Sequence, residues 1–355
     1  MHPKIACLCT IWLLTASCRL PTPNAPSGGD LLYILQPEQF TAAQLASPSF
    51  EWLVLEPSRD GRRTGDIPAT EIAEIRAGAG CRKTVLAYLS IGEAENYRDY
   101  WNAAWVDAAG APIAGVAPSW LGPENPDFPG NYKVRYWDPA WQALLWGDAA
   151  AGSTRPLDRI LSQGFDGVYL DIIDAYDFWS ADAGERTRDQ ARRDMIALVE
   201  AIATYARVTR GDGDFLVFPQ NGSDIIRNDA YELDAQTDRY FAAISGIGQE
   251  DLFYDEVSPQ PTDESAFVLE QLREYESRGK AVLVTDYVID RANPASAGNN
   301  ERARDFHARC RAEGFIPYAA YSDRALDVVV TLSASVGEVA QPSSDCAAPS
   351  SDTGR

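Results

Sequence analysis

The sequence predicts an α/β fold: a single (β/α)8 barrel with a long loop insert after its third strand. Three observations predict it. Short apolar runs recur eight times along the 355 residues, amphipathic stretches of helical period separate most of them, and several of those stretches end in glycine just before the next run. Near-continuous apolar strands alternating with helices indicate a parallel sheet covered on both faces, and eight such units suit a closed barrel. A doubly wound open sheet would carry a glycine-rich phosphate loop after its first strand, and LLYILQPEQF holds no glycine.

In chain order the runs begin with LLYILQ (31–36) and EWLVLEP (51–57), the second followed by the helical ATEIAEIRAGAG. TVLAYLSIGE (84–93) leads into the insert, residues 94–157, which is rich in Trp, Pro and Asn and reads as an elaborated loop over the site. GFDGVYLD (164–171) starts from a turn at Asp166-Gly167 and precedes the helical RTRDQARRDMIALVEAIATYARV. DFLVFPQNG (214–222) and YFAAISGIG (240–248) follow, then the helical DESAFVLEQLREYESRG, KAVLVTDY (280–287) and GFIPYAAYS (314–322). The barrel is expected over residues 31–330, and residues 331–355 form a low-complexity tail.

At the N-terminus, residues 1–18 have the shape of an export signal: Lys4, an apolar run from Ile5 to Leu14, and small residues before Cys18. Leu14-Thr15-Ala16-Ser17-Cys18 also resembles a bacterial lipoprotein signal, which would make Cys18 the acylated first residue of an exported, envelope-bound or secreted chain. Residues 19–30 read as a flexible linker. Membrane contact is expected only through that lipid. Cys81, Cys310 and Cys346 would then supply one disulfide and one free thiol.

With 52 acidic against 31 basic side chains the formal charge is -21, which argues against a nucleic-acid partner. No cysteine or histidine spacing suggests a metal, and no cofactor motif is present. The histidines are His2 and His307, the latter expected on the surface of a charged helix, so a Ser-His-Asp hydrolase is not indicated.

Active sites of such barrels form at the C-terminal ends of the strands. Those ends hold Glu56, Tyr88, Ser90, Glu93, Glu95, Asp171, Asp174, Gln220, Asn221, Gln249, Glu250, Asp286, Tyr287, Tyr318 and Tyr321. Carboxylates and phenols dominate. Glycoside hydrolysis needs two carboxyl groups about one bond and flat rings for sugar faces. Tyr97, Tyr100, Trp101, Trp105, Trp120, Tyr132, Tyr136, Trp137, Trp141, Tyr176 and Trp179 offer such rings.

The stretches YLSIGEAENYR (88–98), Trp120-Leu121, PGNYKVRYW (129–137) and GFDGVYLDIIDAY (164–176) resemble the endo-α-1,4-polygalactosaminidases, glycoside hydrolase family 114. They are most similar to the bacterial and archaeal branch once labelled cysteinyl-tRNA-synthetase-related, although nothing here resembles a synthetase. The resemblance runs from about Leu31 to Tyr321. It implies a (β/α)8 barrel acting on α-1,4-linked galactosamine polymers. It also implies two catalytic carboxylates: an Asp ending the fourth strand, matched by Asp171, and a Glu ending the sixth, matched by Glu250.

A nucleophile should stay ionised and a proton donor should have a raised pKa. Asp171 is therefore expected as nucleophile or charge stabiliser, and Glu250 as general acid/base. Glu56, Tyr88, Glu93, Asp174, Gln220, Asn221, Tyr287 and Tyr321 are expected to bind substrate, with Asp174 also spaced to cap the next helix. The expected partner is a cationic hexosamine polymer, bound by a monomer. The alternatives are a catalytically silent carbohydrate-binding barrel and a hydrolase of another bond, such as a deacetylase.

Overall fold

The computed structural model describes residues 23, 25–78, 80, 82–147 and 154–330. The expected signal at 1–18, Cys18, Cys81, Cys346 and the tail 331–355 lie outside them. Eight parallel strands appear in the order expected: β1 (Leu31–Ile34), β2 (Trp52–Leu55), β3 (Thr84–Ser90), β4 (Gly167–Asp171), β5 (Leu216–Pro219), β6 (Gly246–Glu250), β7 (Ala281–Ile289) and β8 (Ile316–Tyr321). The first five form one sheet in chain order, and β6, β7 and β8 form another. A parallel bridge between Gln220 and Gly248 joins the two, reinforced where Ser245 N–H donates to the Val217 carbonyl (2.8 Å). At the far edges β1 lies against β8.

The sixth run divides differently from the expectation. Its first four residues complete the helix Ala235–Ala243, whose Asp234 cap accepts from the Gln236 and Thr237 amides, and only Gly246 onward is strand. A short apolar run cannot by itself separate a buried helical turn from a strand.

The sheet is curled. Tyr33 of β1 meets Tyr169 of β4 edge-on with ring centroids 5.3 Å apart, and Trp52 of β2 meets Phe218 of β5 at 5.4 Å. Neither pair belongs to neighbouring strands, so the rings meet across the concave face. The glycines of β6 make that possible. A Cβ on Gly246 would fall 2.1 Å from the Phe218 ring, and one on Gly248 would fall 1.9 Å from the Tyr169 hydroxyl oxygen. The Gly246-Ile247-Gly248 spacing is thus room for two rings. Because strand side chains alternate, Asp171 shares a face with Tyr169, Gln220 with Phe218, and Glu250 with Gly248. All three point to the concave side.

Two expected stretches of irregular chain are ordered instead. The end of the linker is docked: the Trp52 indole donates to the Gly28 carbonyl (3.2 Å), and Arg311 pairs with Asp30 (2.8 Å). The insert holds a three-stranded antiparallel sheet of Glu93–Glu95, Asn131–Val134 and Leu121–Glu124, and a helix Pro139–Leu145 capped by Asp138. Most of its aromatic residues pack together, as in the contacts of Trp120 with Trp105 (5.3 Å) and Trp141 (5.0 Å). His307 is half-buried rather than solvated, and burial, with Arg311 adding, pushes its imidazole down to about 4. Its helix, Ala297–Ala312, turns that face toward the core, where Cys310 is a buried free thiol.

Replacing Gly248 with Ala forces a methyl group against Tyr169, and overpacking of this kind destabilises by about 1–3 kcal/mol. The Tyr169 hydroxyl has no hydrogen-bond partner among the described residues, so Tyr169→Phe should change stability much less. Denaturant midpoints check both; an unchanged midpoint for Gly248→Ala would contradict the packing described.

Candidate active site

The concave strand ends are shaped by unusual backbone. Ile172, Asn221 and Asp251 have φ of 62°, 61° and 52°, and each directly follows the last inward residue of β4, of the extension of β5 at Gln220, and of β6. Arg324 (56°) and Leu326 (49°) repeat this beyond β8. Left-handed backbone at non-glycine residues is strained and persists only where surrounding contacts enforce it. At β4 the enforcement is visible: Ile172 N–H donates to Asp171 Oδ1 (2.8 Å), and its carbonyl lies so close to Gly92 that a Cβ there would be 2.3 Å away.

These ends line one cavity of about 660 Å³, shared with the insert. Asp171 and Glu250 both face it. The Tyr88 hydroxyl donates to Asp171 Oδ2 at 2.6 Å. The Tyr287 hydroxyl donates to Glu250 Oε1, and the Asn221 amide group donates to Oε2 at 3.3 Å while its oxygen accepts from the Glu250 backbone amide at 2.9 Å. Gln220 accepts from the Tyr33 hydroxyl (3.2 Å). The Tyr88 hydrogen bond favours the ionised form of Asp171. Burial opposes this: it pushes the Asp171 carboxyl up to about 7, with Glu250 adding and the Tyr88 hydrogen bond opposing. The expectation of a polar, freely ionised Asp171 is corrected to that extent.

Glu56, Glu93 and Asp174 also line the cavity, with different surroundings. Arg98 forms ion pairs with Glu56 (2.8 Å) and Glu95 (2.6 Å), and Lys133 with Glu93 (2.6 Å). Glu56 and Glu93, expected to bind substrate, therefore face the cavity with each carboxylate already paired to an internal cation. Asp174 stands at the cap position of the short helix Ala175–Asp177 but makes no side-chain cap bond. Burial raises its carboxyl, with Lys133 opposing and Glu93 adding. Among the described residues none of Asp171, Asp174 and Glu250 joins an ion pair, in contrast to the paired Glu56, Glu93 and Glu95.

Tyr321 does not line the cavity, contrary to expectation. As the last residue of β8 it is half-buried beneath the Arg291 guanidinium, 5.4 Å from its ring centroid. Of the aromatic residues expected to offer stacking surfaces, Tyr97 lines the cavity while the rest pack elsewhere. Several contributors went unread in the sequence. Tyr33 is hidden in the first apolar run, and Lys133 and Asn125 come from the insert, where Asn125 donates to Glu93 Oε1 (2.8 Å). Arg324, just past the last run, covers the Tyr287 ring at 4.3 Å and pairs with Asp251 at 2.9 Å. Asp286 stands behind the cavity, accepting from the Leu252 (2.8 Å), Phe253 (2.8 Å) and Tyr254 (3.0 Å) amides, and so fixes the loop that leaves Glu250.

The causes acting on Asp171 set the sign of two substitutions. Tyr88→Phe removes a hydrogen bond that lowers its pKa and should raise the midpoint further. Glu250→Gln removes a nearby negative charge and should lower it. Carboxyl carbon NMR titration reads both, and shifts of the opposite sign would contradict the geometry.

The family model for glycoside-hydrolase family GH114 matches residues 47–337. A Thermotoga maritima protein described as uncharacterized is 36% identical over 295 residues, covering 83% of this chain and 82% of its own length. The uncharacterized protein MJ1477 of Methanocaldococcus jannaschii is 33% identical over 300 residues, covering 84% and 78%. Among solved structures, isomaltulose synthase (PalI) from Klebsiella sp. LX3 aligns with a TM-score of 0.45 at 10% identity; the match covers 82% of this chain and spans 64% of that one. With more than half of its length matched by the family model, and relatives above 30% identity over most of both chains, this chain belongs to glycoside-hydrolase family GH114.

Proposed function

We propose that this glycoside hydrolase cleaves a cationic hexosamine polymer of the α-1,4-linked galactosamine type, using Asp171 and Glu250 at the rim of a closed (β/α)8 barrel. Closure of the barrel is supported by the bridge at Gln220, the contact of β1 with β8, and the rings that meet across the interior. One observation carries the functional reading: two carboxyl groups face a single cavity, each oriented by a tyrosine hydroxyl, and neither joins an ion pair among the described residues.

Asp171 is tied at both oxygens, which suits a group that must present one lone pair to an anomeric carbon. It acts as nucleophile or charge stabiliser. Glu250 delivers a proton to the leaving oxygen and later activates water. Asp174, which joins no ion pair among the described residues, meets a sugar ammonium, whereas Glu56 and Glu93 shape the wall through Arg98 and Lys133. Tyr88, Asn221 and Tyr287 position the carboxyl groups, and with Gln220 they reach substrate hydroxyls. The chain acts as an exported monomer, held to the envelope through a lipid on Cys18.

Asp171→Asn and Glu250→Gln should each lower the release of reducing ends from de-N-acetylated galactosamine polymer at least about a hundredfold. Retained activity in both would overturn the assignment. Because Asp171 must be ionised to act, and burial holds its carboxyl at about 7, kcat/KM should fall as pH drops through that region. A profile that instead falls above pH 7, with the limb traced to Asp171, would exchange the two roles. Polymer binding should weaken as salt rises, and a flat salt series would count against a cationic substrate.

A further inference from the structure

The hairpin turn of the insert, between Leu121–Glu124 and Asn131–Val134, carries Phe128. At 61% exposure it is the most exposed large hydrophobic side chain among the described residues, and it lines the same cavity as Asp171. A single exposed phenylalanine on a loose loop would need no explanation. This turn is not loose. The Asn125 side chain accepts from the Asp127 amide (3.1 Å) and donates to Glu93 (2.8 Å), which is itself paired with Lys133. The Gly130 amide donates to Glu124 (2.7 Å), the Gly130 carbonyl accepts from the Asn96 amide (2.9 Å), and the Phe128 carbonyl accepts from the Asn131 amide (3.0 Å). Gly130, at φ +95°, packs so closely on Asn96 that a Cβ would lie 2.9 Å from its side chain.

Hydrogen bonds thus fix the backbone that carries an exposed apolar ring lining a polar cavity. Tyr97 is 38% exposed and lines the same cavity, its hydroxyl donating to Glu95 and its ring covered by Arg98 at 4.9 Å. Resting on the glycan-hydrolase reading above, we propose that Phe128, with Tyr97, forms a stacking subsite for a hexosamine ring of the polymer that lies beyond the bond being cleaved. A pyranose presents a flat C–H face to such a ring, and an ammonium substituent adds a cation–π attraction. Asp127, the neighbouring cavity residue, is exposed and joins no ion pair among the described residues, so it is placed to meet that ammonium. Pre-fixed aromatic residues bind with little loss of side-chain freedom, which is what the turn provides.

The test uses full-length protein inactivated by Asp171→Asn, titrated with de-N-acetylated galactosamine polymer and with its disaccharide by affinity electrophoresis and calorimetry. Adding Phe128→Ala should weaken polymer binding about tenfold and disaccharide binding less than twofold, and Phe128→Trp should restore polymer binding. An unchanged thermal midpoint confirms that the exposed substitution leaves the fold intact. Equal polymer affinity with Phe and Ala at this position overturns the subsite alone. A parent that fails to bind any hexosamine polymer overturns the substrate reading and the subsite with it.

Discussion

The structure depends on keeping two carboxyl groups in one cavity without an ion pair to either among the described residues. Asp171 is desolvated enough to hold its proton up to about neutral pH, yet the Tyr88 hydroxyl and the Ile172 amide both donate to it. Glu250 is gripped by Tyr287 and Asn221 in the same manner. An arginine beside either group would make burial easier and would also quench the charge that chemistry on a sugar needs. Hydrogen-bond donors orient both carboxyl groups with no ion pair to either among the described residues.

Much of the surrounding architecture serves that compromise. Ile172, Asn221 and Asp251 adopt strained backbone directly beyond inward-facing residues, and the strain is stabilised by the packing around them: Gly92 against Ile172, Arg324 on Asp251, and the three amides on Asp286 in the loop that leaves Glu250. Deeper in the sheet the missing side chains of Gly246 and Gly248 admit Phe218 and Tyr169. Those rings fill the interior beneath the cavity and set the floor on which the carboxyl groups stand.

The cavity wall follows the opposite rule. Glu56 and Glu95 share Arg98, and Glu93 pairs with Lys133, so the insert and the ends of β2 and β3 form an ion-paired frame. Asp171, Asp174 and Glu250 stay outside ion pairs among the described residues. The same Glu93 pair anchors the turn that bears Phe128, which couples the electrostatic frame to the cavity mouth.

The sequence by itself determined the eight strands, their parallel order, and the carboxylates at the ends of β4 and β6, because apolar runs and helical periods are local and strand ends follow from them. It also pointed to Tyr88, Asn221 and Tyr287, which stand at those ends. Only the tertiary structure decided the rest. Whether Glu56 or Glu93 is free depends on Arg98 and Lys133, which approach across 42 and 40 residues of chain. The helical start of the sixth run, the fold inside the insert, and the turning away of Tyr321 likewise follow from packing between distant segments. The charge state of a carboxyl group is set by burial and neighbours, and no local pattern of residues carries that information.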